Sequence, residues 1–247
     1  MTAQPRYKTV CVPVTASTNS DAKAYARECD GDVMFLAKRQ TQGRGRLGRT
    51  FVSNEGGLYM SMLFKKRLLP SAALKVTVYA SLCVARAVKR LSGLDTEIKW
   101  VNDIYLGGKK LCGILCEGVM GEDGALSHLI VGIGLNVGGA LPDEIDRIAT
   151  ALSHHTDRAV DIHELAEAIA DEMYALSECS FESILSEYRT KSFVLGRRIR
   201  VIRPDGTEYF ADALDIDSDG ALIIKTDGGA TERLATGEIS IRAEGCP

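Results

Sequence analysis

Five cations and no acid lie between Val33 and Asn54: Lys38, Arg39, Arg44, Arg46 and Arg49. Three of them sit in the glycine-rich string Gln40-Thr41-Gln42-Gly43-Arg44-Gly45-Arg46-Leu47-Gly48-Arg49-Thr50. Glycines let backbone N–H groups approach an anion, and arginines add fork-shaped charge suited to phosphate or carboxylate. The string therefore reads as a site for small anionic groups. The bland alternative is a solvated basic loop, made less attractive by the lack of any neutralising acid. Two familiar patterns overlay the string and neither fits. Gly43-x-Gly45-x-x-Gly48 matches a dinucleotide fingerprint, which must open a helix. The following Phe51-Val52-Ser53-Asn54-Glu55-Gly56-Gly57 is a poor helix. Gly43-x-x-x-x-Gly48-Arg49-Thr50 is one residue from a P-loop, but arginine replaces the lysine and the helix is again missing. RNA-binding Gly-Arg segments usually repeat and interleave aromatics, whereas this one occurs once, beside Phe51.

A second constellation lies in Ile98-Lys99-Trp100-Val101-Asn102-Asp103 and Lys110-Leu111-Cys112-Gly113-Ile114. A lysine opening an apolar strand is a mobile point cation that can follow charge between two groups. Its alternative is a strand-end lysine snorkelling to water. Asn102 and Asp103 are either turn formers or, for Asp103, a candidate ligand of Mg²⁺. Trp100, the single tryptophan, reads as core or platform before ligand wall. In Val131-Gly132-Ile133-Gly134-Leu135-Asn136 the glycines suggest close approach of a ligand or another backbone. Asn136 then either reads an adenine edge or caps the strand.

The elements that must position these groups follow from periodicity. Ser17-Thr18-Asn19 are N-cap residues ahead of Ala22, Tyr25, Ala26 and Cys29 at helical spacing. Residues 33–37, 58–64, 98–101, 110–117 and 128–136 read as strands. Gly107-Gly108 turns the chain between the third and fourth of these, and Asp123-Gly124 before the fifth. Residues 71–91 and 161–177 read as long helices, the latter opened by an Asp161/Glu164 capping box. Cys112 and Cys116, four apart on a strand, read as packed small apolar residues. From about Gly196 five short strands (199–203, 208–216, 221–226, 231–234, 238–242) alternate with Pro204-Asp205-Gly206, Ser218-Asp219-Gly220, Asp227-Gly228-Gly229 and Ala235-Thr236-Gly237, which suggests a small barrel. The fold expected is α+β, with residues 1–190 forming a mixed-sheet domain and 191–247 a small β-barrel.

Composition narrows the class. The 247 residues are 45% hydrophobic, with 30 basic against 33 acidic side chains, a net charge of −3. That excludes a disordered tail and argues against a generally basic nucleic-acid coat. No apolar run is expected to reach the roughly 18–20 residues of a membrane span, and the N-terminal stretch shows no secretory pattern. Seven cysteines without a CxxC pair suit reduced thiols in the cytoplasm. The four histidines show no metal-binding spacing.

In order, Ser17-Thr18-Asn19, Gln40 through Arg49, Lys99-Trp100-x-Asn102-Asp103, Lys110-Leu111-x-Gly113-Ile114 and Gly132-x-Gly134-x-Asn136 resemble the motifs of the biotin–protein ligases. The segment after Gly196 is similar to that family's SH3-like C-terminal barrel. The resemblance implies a mixed-sheet catalytic domain of the biotin/lipoate ligase type. It implies ATP-dependent formation of biotinyl-5′-AMP, with Mg²⁺, and transfer of biotin to a lysine of a biotin carboxyl carrier domain. It implies the ligase-only type, without DNA as a partner. By the same resemblance, Ser17, Thr18, Asn19 and Gln40 contact the biotin rings. Arg44 and Arg46 hold carboxylate and phosphate, with Gly43 and Gly45 letting the backbone close in. Arg49 orders the loop or binds pyrophosphate, Phe51 and Trp100 wall the ligand, and Lys110, beside Gly113, sits between carboxylate and α-phosphate. Asn136 contacts adenine. Two departures stand out: Val101 where many members have proline, leaving the Asn102-Asp103 turn less fixed, and Phe51 where many have tryptophan. A lipoate–protein ligase, or a non-enzymatic RNA- or protein-binding module, remains the alternative.

Overall fold

The computed structural model describes residues 6–28, 30–203, 205–235 and 238–241. Cys29 of the first helical pattern, Cys246, Pro204, Thr236-Gly237 of the last turn and the terminal Arg242 of the last strand lie outside them.

Seven strands form one sheet in the order β1-β2-β3-β7-β6-β5-β4. They are β1 (Lys8–Thr15), β2 (Val33–Gln40), β3 (Gly57–Phe64), β4 (Glu97–Lys99), β5 (Asp103–Leu106), β6 (Lys109–Met120) and β7 (Leu126–Asn136). β1 runs parallel to β2 and every other ladder is antiparallel, so the sheet is mixed. The helices are α1 (Thr18–Tyr25), α2 (Ala73–Ser92), α3 (Asp143–Asp146), α4 (Ile162–Leu176) and α5 (Phe181–Lys191).

The two-residue period of a strand sorts side chains between two faces. Met34, Leu36, Leu58, Met60, Met62, Val131, Ile133 and Leu135 join α2, α4 and α5 in the main core. Val33, Phe35, Leu63 and Ile130 point the other way, with Ala22 and Ala26 of α1. On that second face α1 covers only part of β2, β3 and β7. Ser61, Gly113, Gly132 and Gly134 share its parity, and the three glycines line a cleft.

Besides the short helix α3, three elements differ from expectation. β1 is an added edge strand, and Pro13 is tolerated in it because an edge needs no donor there. α5 is an added helix, with Ile184, Leu185 and Tyr188 buried and Ser180 accepting from the Ser183 N–H at its start. β5 is an added strand, so the Gly107-Gly108 turn joins β5 to β6 rather than β4 to β6.

A fourth difference concerns hydropathy. Pro70–Ser92 is long and apolar enough to cross a membrane, with mean hydropathy 1.3 over 18 residues. Half of that window is buried, and α2 packs against α4, α5 and β6. Its Arg86 pairs with Glu187 of α5. These contacts make it a core helix.

A five-stranded antiparallel sheet follows, in the order β11-β10-β9-β8-β12. Its strands are β8 (Arg198–Ile202), β9 (Glu208–Ile216), β10 (Leu222–Thr226), β11 (Thr231–Leu234) and β12 (Glu238–Ile241). This is the SH3-like unit. Its core residues Ile199, Val201, Ala211, Ala213 and Leu222 are continuous with the main core. Trp100 ties the two sheets: it is 4% exposed, and its indole Nε1 donates to Gly220 O at 2.9 Å. Trp100→Phe keeps most of the ring and deletes that donor. The variant is expected to lose about 1–2 kcal/mol of stability, read as a lowered thermal midpoint. An unchanged midpoint would deny the bond this role.

Candidate active site

The open patch of sheet is floored by hydrogen-bonded polar side chains. Ser17, Thr18 and Asn19 are all buried at the start of α1. Ser17 is the N-cap by backbone geometry, but its hydroxyl makes no capping bond. Instead the first helical N–H, that of Thr18, donates to Gln40 Oε1 at 2.9 Å. Gln40 Nε2 donates to Ser53 Oγ at 2.9 Å, and Ser53 donates to Phe51 O. Buried Ser61 lies 2.6 Å from Asn19 Oδ1 and 2.7 Å from Thr18 Oγ1. A hydroxyl has one proton, so Ser61 donates to the amide oxygen, and the Thr18 hydroxyl, which also lies 3.2 Å from Gln40 Oε1, has two acceptors for its own proton, Ser61 Oγ and Gln40 Oε1. Asn19 Nδ2 donates to Leu115 O at 3.3 Å and to Glu117 Oε2 at 2.7 Å. Both donors of Asn19 are thus spent within the protein. Asn19 supports the floor, and it lines the cleft together with Ser17, Thr18 and Gln40.

The two strand glycines are explained by this floor. A Cβ on Gly132 would stand 2.1 Å from Asn19 Oδ1, and one on Gly134 2.5 Å from the Phe51 ring. The close neighbours are side chains of this chain rather than a second backbone. Phe51 lies across Gly134 and meets Tyr59 edge-on at 6.5 Å.

The glycine–arginine string folds back as a small hairpin. Phe51 N donates to Gly43 O at 2.9 Å, and Gly45 N to Arg49 O at 2.7 Å. The Gly45 N–H is therefore used inside the loop. Gly43 is the tighter position, since its Cβ would meet Phe51 O at 2.3 Å. Leu47 takes a left-handed conformation (φ 55°) at the tip. The arginines reach down onto strands: Arg44 Nη2 lies 3.0 Å from Glu117 Oε2, and Arg46 Nη1 donates to Asn102 Oδ1 at 3.0 Å.

At the other end of the cleft, Arg46 begins a charged chain. Asn102 Nδ2 donates to Asp103 Oδ1 at 3.0 Å, and Lys110 Nζ sits 2.7 Å from the same oxygen. Lys110 lies along Gly113, whose added Cβ would be 3.3 Å from Nζ. The turn is well fixed despite Val101. Val101 O accepts from Ser81 Oγ and the Tyr188 hydroxyl, and Asn102 exchanges bonds with Ile114 at 2.9 and 3.1 Å.

Together these groups enclose a cleft of about 470 Å³ including its open mouth, with Met60, Ile114, Leu115 and Ile133 as apolar lining. A second recess adjoins it, shared by Arg46, Arg49, Lys99, Trp100, Asp103 and Lys110, with Ile239 of β12 on its wall. Asn136 lies in neither. Its Nδ2 donates to Thr150 O at 3.0 Å, and it borders a small pocket with Tyr59 and Leu141. Cys112 and Cys116 fall on the helix-facing side of β6, where burial pushes the Cys116 thiol up to about 11. Among the described residues neither a histidine nor a cysteine lines either recess.

The Biotin/lipoate A/B protein ligase family model matches residues 11–136, and the Biotin protein ligase C terminal domain model matches 194–242. A biotin--[acetyl-CoA-carboxylase] ligase of Mycobacterium tuberculosis is 32% identical over 239 residues, covering 92% of this chain and 86% of its own. The chain belongs to the biotin protein ligases. The ligase is also 30% identical to the bifunctional ligase/repressor BirA of Bacillus subtilis, over 87% of this chain and 69% of that protein. The structure of the Aquifex aeolicus biotin protein ligase in complex with biotin and ATP superposes with a TM-score of 0.78 at 28% identity. That match covers 95% of the ligase and 98% of the other chain.

Sequence reasoning missed Ser53, Ser61 and Glu117. Ser61 sits inside the apolar run Gly57–Phe64, and a polar residue that interrupts a buried strand is itself a signal. Glu117 shares the parity of Gly113 on one strand, which places it on the ligand face.

Proposed function

We infer that this cleft carries out both halves of biotin ligation. Biotin's carboxylate oxygen attacks the α-phosphorus of ATP, pyrophosphate leaves, and biotinyl-5′-AMP remains. The ε-amine of a lysine on a biotin carboxyl carrier domain then attacks the acyl carbon, and AMP leaves. Neither half needs a protein nucleophile; both need fixed charge and alignment.

The observation that carries the reading is the contrast between the two ends of the cleft. One end offers neutral hydroxyls and amides, suited to a ureido ring. The other carries Arg46 and Lys110, 3.0 and 2.7 Å from the Asn102–Asp103 pair. In this account Lys110 neutralises charge building between carboxylate and α-phosphate, Arg46 retains the adenylate, and Arg44 and Arg49 complete the cationic loop. Phe51 and Trp100 wall the ligand. Asn136, in its separate pocket, receives the adenine edge only if the nucleotide extends past Phe51. Magnesium enters with ATP. Among the described residues no group of three His, Cys, Asp or Glu side chains gathers to hold a metal. Asp103 Oδ1 already faces Lys110 and Asn102. Asp103 is the carboxylate that would face such an ion, which would supply charge neutralisation at the phosphates.

The same floor favours biotin over lipoate. A dithiolane ring has no hydrogen-bonding edge to meet the Ser17 hydroxyl or the second N–H of Gln40, whose other amide atoms are held by Thr18 and Ser53, and discrimination of this kind can exceed a thousandfold. Pyrophosphate release with ATP and each acid in turn tests this: release with lipoate and none with biotin would overturn the substrate assignment. The arginines' contacts with Glu117 and Asn102 weigh against an RNA-binding loop. We place the division between the two units at 190/191 and the protein in the cytoplasm, supported by the free thiols Cys11, Cys83, Cys112, Cys116 and Cys179.

Arg46→Gly removes a cation from the phosphate end and the donor to Asn102. Adenylate dissociation is expected to speed up by about 10–100-fold, since hydrogen bonds to charged groups are worth about 1.5–3 kcal/mol. Stopped-flow dissociation at the wild-type rate would remove Arg46 from this role.

A further inference from the structure

Glu117 has no part in the chemistry above, yet it touches both the floor and the loop. Its Oε2 accepts from Asn19 Nδ2 at 2.7 Å and pairs with Arg44 Nη2 at 3.0 Å. We propose that Glu117 is a positioning residue for biotin binding, fixing the Asn19 amide in the floor and pinning the Arg44 end of the loop against β6. The proposal rests on the biotin reading of the cleft.

The argument begins with strand parity. Gly113, Leu115 and Glu117 alternate onto the ligand face of β6, so the carboxylate is delivered to the cleft edge by the strand that carries Lys110. Asn19 is an amide whose two ends differ in polarity. With Nδ2 held by Glu117 and Leu115 O, its oxygen must face Ser61, which donates to it at 2.6 Å. That choice settles the proton of Ser61 and leaves the Thr18 hydroxyl, 2.7 Å away, to donate to Ser61 Oγ or to Gln40 Oε1. One carboxylate thereby sets the donor–acceptor pattern that a ureido ring meets. The Arg44 contact is the second duty. The Glu117 side chain is 23% exposed and that of Arg44 45% exposed, so solvent screens the pair and its worth lies in orientation more than stability. The hairpin's Arg46 end is held separately by Asn102. Releasing Glu117 therefore frees one side of the loop and leaves the other in place.

The test is steady-state and single-turnover adenylation by Glu117→Ala and Glu117→Gln, with amide hydrogen exchange across residues 44–50. Glu117→Ala is expected to raise the biotin KM by about 10–100-fold, as loss of a charge-assisted hydrogen bond implies. Its kcat should stay within about threefold, and loop exchange should quicken. Glu117→Gln retains an oxygen for Asn19 but cannot pair ionically with Arg44. It should recover most of the biotin KM while loop exchange stays fast. A wild-type biotin KM in Glu117→Ala, or a loss confined to kcat, would overturn the proposal. So would loop exchange unchanged in both variants. The exchange measurement needs no turnover, so it judges Glu117 even if the wild-type chain released no pyrophosphate with biotin, the result that would defeat the substrate reading instead.

Discussion

Lys110→Ala is expected to slow biotinyl-adenylate formation by about 10²–10³-fold, the usual cost of removing one preorganised charge from a site of developing negative charge. The amine lies 2.7 Å from Asp103 Oδ1 and rests on Gly113. Those contacts hold a cation at the edge of the cleft, preorganised for the negative charge that builds during adenylation. The fold should tolerate the change. The side chains of Lys110 and Asp103 are 33% and 20% exposed, so solvent screens much of their attraction, and Asp103 keeps its bond from Asn102 Nδ2. Lys110→Arg should not restore the rate, because a planar fork cannot follow charge as a compact ammonium does. Single-turnover pyrophosphate release measures the effect, with a thermal melt as control. A variant within threefold of wild type would dismiss Lys110 from the reaction.

The second large effect comes from a residue with no side chain. Gly132→Ala would place a methyl 2.1 Å from Asn19 Oδ1 and 2.9 Å from Nδ2. Asn19 is 4% exposed and bonded to Ser61, Leu115 O and Glu117. It cannot yield without breaking the floor. Overpacking of this kind costs about 1–3 kcal/mol, a loss that a domain of this size can survive. Biotin affinity should fall by more than about a hundredfold, since the disturbed floor loses hydrogen bonds together with shape. Calorimetric titration of biotin into a variant with native circular dichroism is the measurement. Near-normal affinity would show that Asn19 has room the structure does not provide.

Much of this site can be read along the chain. The cationic string, Lys110 and the Asn102-Asp103 turn announce an anion because their side chains have few structural uses so close together. The strand glycines announce close approach. The long helices and the hairpin turns follow from period and from Gly-rich punctuation, which are local properties. What cannot be read locally is which group each polar atom finds. Gln40 satisfies the first N–H of α1 across 22 residues, and Glu117 meets Asn19 across 98. Such partners are set by strand order, which brings β3, β7 and β6 side by side under α1.

Sequence alone determined the chemistry on offer: an arginine loop, a lysine, a polar patch and one strand with two glycines. The tertiary structure decided how these are shared out. It bound Asn19 into the floor through Ser61, Leu115 and Glu117 and placed Asn136 on a separate pocket. It spent the Gly45 N–H within the loop and set Asp103 against Lys110. The physical reason is that a hydrogen-bonding atom is committed by its nearest partner in space. Once seven strands are laid in order, those partners come from segments a hundred residues apart.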